Sequence, residues 1–72
     1  MAWFFRALEQ PDGQWVCRRG RADIDAHPTL EHAIEHLREL ASDAQPAQLV
    51  IHRLDGSAEP RGPLVPEGYS AG

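Results

Sequence analysis

The chain contains no lysine and no asparagine, so all seven of its basic residues are arginine. With abundant alanine, proline and glycine, this composition reflects a GC-rich source and carries no functional information. Its single cysteine, Cys17, excludes an internal disulfide and any cysteine-rich metal site. No apolar run approaches the ~20 residues of a membrane-spanning helix. The opening Met1-Ala2-Trp3-Phe4-Phe5-Arg6 is shorter than the apolar region of about 7–15 residues in a signal peptide. These absences point to a cytoplasmic protein. A glycine-rich phosphate loop and a nucleophile elbow are both missing. The expectation is a non-enzyme with no catalytic residues, no cofactor and no small-molecule substrate. The net charge of −4 opposes non-specific nucleic-acid binding, where a basic domain is the rule.

What is present fits one small domain of 72 residues with 42% hydrophobic content. A chain this short buries only about 60% of its unfolded surface, so its core must use nearly every large apolar residue. Residues 3–9 read as a strand, ended by Gln10-Pro11-Asp12-Gly13, whose proline, aspartate and glycine suit successive turn positions. Residues 14–19 return as a second strand. Residues 20–27 are polar, with room for a short extension of that strand near Ile24. Thr29 is a helix N-cap followed by Glu31, which favours the positive end of the helix dipole. Leu30, Ala33, Ile34, Leu37, Leu40 and Ala41 form one apolar stripe, and Pro46 bars continuation. Residues 47–54 read as a third strand before the tight-turn pair Asp55-Gly56, after which Ser57-Ala58-Glu59 offers at most a stub of a fourth strand that Pro60 stops. The predicted fold is α+β: a three-stranded antiparallel sheet, ββαβ in order 2-1-3, with one helix on one face. Residues 1–59 form the domain, and the Pro/Gly-rich residues 60–72 form a flexible tail.

Side chains alternate faces along a strand. One set comprises Trp3, Phe5, Ala7, Trp15, Cys17, Leu49, Ile51 and Arg53. The other comprises Phe4, Arg6, Leu8, Val16, Arg18, Val50, His52 and Leu54. Both contain apolar residues, and one helix covers one face. The uncovered face calls for a second copy of the chain, another protein partner, or the chain's own tail through Leu64, Val65 and Tyr69. Self-association is the leading expectation. If Phe4, Val16, Val50 and Leu54 meet the helix, then Trp3, Phe5, Trp15, Leu49 and Ile51 form the partner interface; the reverse assignment exchanges the two sets.

Three motifs offer chemistry. His32-Ala33-Ile34-Glu35-His36 matches the H-x-x-E-H pattern of zinc peptidases, and residues four apart on a helix point the same way. The third ligand and the cleft are missing, however, and the apolar stripe puts these histidines on the solvent side. His32 and His36 are therefore weak metal candidates, and the expected metal content is none. Arg18, Arg19 and Arg21 form a basic cluster near Trp3, Phe5 and Trp15, the alternative of a nucleic-acid surface, opposed by Asp23 and Asp25. Cys17 reads as a buried thiol. Its pairing with His52 as nucleophile and base requires a shared sheet face and lacks an orienting third group. His52 itself reads as a structural hydrogen-bonding residue.

Trp15-Val16 in a hairpin, Gly20, a threonine-led helix with Glu31, Ala33 and Ile34, then Leu49-Val50-Ile51-His52 and Asp55-Gly56 resemble the small bacterial and phage family known as domain of unknown function 2188. Phe5-Arg6 and Asp12-Gly13 are also similar to the YegP-like ββαβ domains. The likeness covers about residues 3–59. It implies a fold and no assigned activity, and it supplies no site residues. The acidic helix and Pro/Gly end depart from the lysine-rich helices and basic end usual in such families, which weakens a nucleic-acid role.

Overall fold

A computed structural model describes residues 2–66 of the chain. Its elements run β1 (Trp3–Glu9), β2 (Trp15–Arg19), β3 (Ala22–His27), α1 (Leu30–Ala41), β4 (Ala47–His52) and β5 (Ala58–Pro63). The five strands form one sheet in the order β3-β2-β1-β4-β5. β1 pairs antiparallel with β2 and parallel with β4; β2–β3 and β4–β5 are antiparallel. No helix among the described residues is long and apolar enough to cross a membrane.

The α+β class stands, but the three-stranded antiparallel sheet of order 2-1-3 does not. The missing β3 explains the error in direction. Each hairpin turn reverses the chain, and so does the helix. With two strands before the helix, the strand after it runs against β1; with three, it runs along β1. The polar segment 22–27 is that third strand, so β4 lies beside β1 but parallel to it.

The second addition is β5. Its residues Pro60 and Pro63 oppose Val50 and Gln48. Proline has no N–H for a ladder, and β5 is an edge strand, where that loss is tolerated. The tail read from residue 60 onward therefore begins inside the sheet. Leu64 follows as a buried core residue whose N–H donates to the Ala47 carbonyl at 2.9 Å. Val65 is exposed, and Tyr69 lies outside the described residues.

Local chemistry sets the connections. Gly13 and Gly56 both take φ 88°, a backbone region open mainly to glycine, and close the β1–β2 and β4–β5 turns. In each turn an aspartate two residues upstream accepts from the backbone: Asp12 Oδ1 from the Gln14 N–H at 3.0 Å, Asp55 Oδ1 from the Ser57 N–H at 2.8 Å. The Thr29 hydroxyl caps α1 by accepting from the His32 N–H at 3.2 Å. At the other end, the Gln45 side-chain amide donates to the Ala41 carbonyl (2.7 Å) and the Leu64 carbonyl (3.0 Å), fastening the helix end to the segment after β5.

The helix lays Ala33, Leu37 and Ala41 on one sheet face, over Phe5, Ala7, Trp15, Cys17, Leu49 and Ile51; Ala44, Ala47 and Leu64 complete the core. Phe5, Leu37, Ile51 and Cys17 are its largest fully buried side chains. A domain of this length has roughly 4–11 kcal/mol of stability. Leu37→Ala should therefore remove a large part of it, about 2–5 kcal/mol. Leu54→Ala, at an exposed turn position, should stay within about 0.5 kcal/mol. Urea unfolding followed by circular dichroism reads both, and equal losses would contradict this placement of the core.

Candidate functional site

The sheet has two faces with different chemistry. Residues opposite each other in a ladder share a face, so the registers assign every strand position. Phe5, Ala7 and Cys17, with Leu49 and Ile51, face the helix. Four of the five residues expected at a partner interface, Phe5, Trp15, Leu49 and Ile51, are thus the helix-covered core, which corrects that assignment. The physical reason lies in the charges of the other set. Arg6 and Arg18 stand within their strands and His52 at the end of β4 there, and an apolar helix stripe laid over them would bury unpaired polar groups. Trp3, the fifth residue, sits at the start of β1 and remains 48% exposed, with the Arg19 guanidinium 5.4 Å from its ring centre.

The helix-free face carries Phe4, Arg6, Leu8, Val16, Arg18, Val50 and His52. Phe4 is 48% exposed and the others are partly buried. Arg6, Arg18 and Asp23 lie in one row across β1, β2 and β3. A bulge between Cys17 and Arg18 brings Asp23 opposite Arg18, and the Arg18 Nε donates to Asp23 Oδ1 at 2.7 Å. Arg6 enters no ion pair among the described residues; its guanidinium instead meets His52 Nε2 at 2.8 Å. His52 therefore has the structural hydrogen bond expected of it. It stands on the opposite face from Cys17, so the two form no nucleophile–base pair.

Of the arginine cluster, Arg18 is committed to Asp23 and Arg19 stacks on Trp3. Arg19 and Arg21 also line, with Trp3, Phe4 and Arg6, a cleft of about 530 Å³ at the end of the sheet. Of the expected cluster, this cleft thus holds Arg19 and Arg21, joined by Arg6, and leaves out Arg18.

On the helix side, β2, β3 and α1 enclose a polar cluster that the sequence reading did not assemble. Cys17 opposes Asp25 and Trp15 opposes His27 in the β2–β3 ladder, which turns Asp25 and His27 toward the helix. His36 flanks the apolar stripe and meets them there. Its Nδ1 lies 2.8 Å from Asp25 Oδ2 and 3.1 Å from His27 Nε2, and His27 Nε2 lies 3.2 Å from Asp25 Oδ1. The two imidazole rings meet edge to face, 5.1 Å between centres. The Cys17 thiol donates to the Ala33 carbonyl at 3.5 Å. Burial first, and then the Asp25 carboxylate beside it, push this thiol up to about 12. Among the weak metal candidates, His36 belongs to this cluster, while His32 and Glu35 are exposed and outside it. A usable signal existed: Ala22-Asp23-Ile24-Asp25-Ala26-His27 alternates between apolar and polar, a strand pattern, although the bulge opposite Cys17 and Arg18 sends Asp23 to the other face from Asp25 and His27.

Burial lowers the His52 pKa below its ordinary 6.5, and the Arg6 and Arg18 charges lower it further. A depressed histidine stabilises the fold above the unfolded value, and this contribution is lost as pH falls through the folded one. In an NMR titration His52 should thus have its midpoint below 6.5, and Arg6→Gln should move it upward. A midpoint unaffected by Arg6→Gln would contradict this description of the face.

No curated protein and no solved structure matches the chain. The sequence profile of a family described as "Uncharacterized protein conserved in bacteria (DUF2188)" matches residues 8–61. That span runs from the end of β1 through the helix into β5 and covers three quarters of the chain. The protein belongs to this bacterial family of unknown function.

Proposed function

We propose that the protein is a non-enzymatic binding module that self-associates through its helix-free sheet face. The observation that carries this reading is self-complementarity within one row of that face. Arg6 on β1 has no carboxylate partner among the described residues, and Asp23 stands in the same row on β3, with Arg18 between them. A two-fold axis along β2, between two stacked sheets, sets β1 of one copy over β3 of the other. Arg6 then meets Asp23 of the second copy, and the symmetry makes that contact twice, as an isologous interface requires. One row along the strands, Leu8 meets Ala26 and Val16 meets its own copy, since Leu8, Val16 and Ala26 are aligned across the same three strands. Arg18 also meets its own copy across the axis, a like-charge contact that its bond to Asp23 offsets.

Sedimentation equilibrium up to about 100 μM tests this directly. The wild-type chain should associate beyond its 8.0 kDa monomer mass. Arg6→Asp and Asp23→Arg should each shift it toward monomer, and the double exchange should restore association. A wild-type monomer throughout that range removes the proposal.

A second reading rests on the cleft lined by Trp3, Phe4, Arg6, Arg19 and Arg21. Aromatic rings and guanidinium groups together suit a single-stranded nucleic acid, through base stacking and phosphate contacts. Binding of a single-stranded oligonucleotide should then weaken steeply with added salt and be lost in Arg19→Ala/Arg21→Ala. No affinity at low salt rejects it.

A further inference from the structure

We propose that Cys17, Asp25, His27 and His36 form a four-ligand site for a divalent transition cation, zinc first. The four residues come from three elements: Cys17 from β2, Asp25 and His27 from β3, His36 from α1. Their ligand atoms, one thiol sulfur, one carboxylate oxygen and two imidazole nitrogens, all lie within 4.8 Å of one another. Zinc holds nitrogen and oxygen ligands at about 2.0–2.2 Å and sulfur at about 2.3 Å. A tetrahedron of that size has edges of about 3.3–3.7 Å. The edges already present, 2.8, 3.1 and 3.2 Å among Asp25, His27 and His36, all lie somewhat below that range. The longest separation of 4.8 Å bounds the contraction needed to about an ångström.

The cluster's hydrogen bonding is incomplete without a cation. Two imidazole nitrogens point at each other across 3.1 Å, and both lie against the carboxylate of Asp25. Each neutral imidazole carries one proton, so the nitrogens and oxygens gathered here offer more lone pairs than protons. Asp25 Oδ1 is the residue of that imbalance. It is shielded from solvent and accepts no hydrogen bond in the described structure. A buried oxygen without a partner is costly, and a metal ion satisfies it together with both imidazoles.

The arrangement also inverts ordinary strand logic. On β3 the polar residues Asp25 and His27 face the helix, while Ala26 faces away and is exposed. Hydrophobic packing alone favours the opposite phase, and a departure of that kind marks a functional or strained site. The donor set selects the metal. Thiolate and imidazole together suit a borderline cation, and an oxygen-only ion such as magnesium or calcium finds one carboxylate here. With four protein ligands the coordination sphere is closed, the pattern of a structural site rather than a catalytic one. Coordination displaces the thiol proton and ties the edge strand β3 to the helix. Because the ligands lie on the helix side, the site is independent of the proposed self-association.

Zinc titration by calorimetry and cobalt substitution test the proposal on the full chain. One zinc per chain is expected, with an upward shift of roughly 10 °C in melting temperature at hundredfold excess over Kd. Cobalt should give a thiolate charge-transfer absorption together with the intense visible bands of four-coordinate geometry. His36→Ala and His27→Ala should each weaken binding at least about tenfold. Cys17→Ser should abolish the charge-transfer absorption, while His32→Ala leaves affinity unchanged. Circular dichroism first establishes that each variant folds; should Cys17→Ser unfold, the histidine variants and the wild-type cobalt spectrum decide alone. Three results would overturn the proposal: no zinc binding at about 100 μM, binding that depends on His32 rather than His36, or a cobalt complex without thiolate absorption.

Discussion

The pairing of β2 with β3 is the constraint on which the rest of the molecule depends. It adds a second hairpin reversal of the chain before the helix, so β4 enters parallel to β1. It places β3 at one edge of the sheet and sends the helix back across the core toward the centre. The same ladder sets Asp25 opposite Cys17 and His27 opposite Trp15, which turns two polar side chains beneath the helix. The bulge after Cys17 then changes the phase, so Asp23 emerges on the other face beside Arg18. One short polar strand thus distributes its acids between both faces of the sheet.

That distribution separates two kinds of chemistry. The helix side gathers two imidazoles and a carboxylate around a buried thiol. The free side gathers two guanidinium groups, a histidine with a depressed pKa and a set of half-buried apolar residues. The sheet between them is close-packed on its helix side with Phe5, Ala7, Leu49 and Ile51. Proteins of this size have little core to draw on, and a metal commonly supplements it. A ligand set that joins the edge strand to the helix is placed where added cohesion has most effect.

Much of this architecture was legible in the sequence. Asp12-Gly13 and Asp55-Gly56 marked two turns, Thr29 marked the helix start, and the stripe from Leu30 to Ala41 gave its buried side. The strand at Leu49–Ile51 was equally clear. β3 was hidden because two of its three apolar members are alanine, so the segment looked merely polar despite its alternation. β5 was legible only as a stub at Ser57-Ala58-Glu59, because Pro60 and Pro63 argue against a strand unless it lies at an edge. The choice of sheet face was decided by charge rather than by apolar count: Arg6, Arg18 and His52 all occupy the set that the helix leaves free. The cluster of Cys17, Asp25, His27 and His36 could not be assembled without β3, because no spacing in the chain links a strand cysteine to a helical histidine across the intervening fold. His36 was noticed for its spacing from His32, yet its partners lie on the neighbouring strand.

The most direct test of the account is the position of the His27 ring relative to α1 in solution. If β3 pairs with β2 in the register described, nuclear Overhauser contacts should connect the His27 and His36 imidazoles, whose centres lie 5.1 Å apart. A His27 ring with no contact to His36, in a segment whose amides exchange as freely as an open loop, would contradict the placement of β3 and with it the direction of β4 and the ligand cluster.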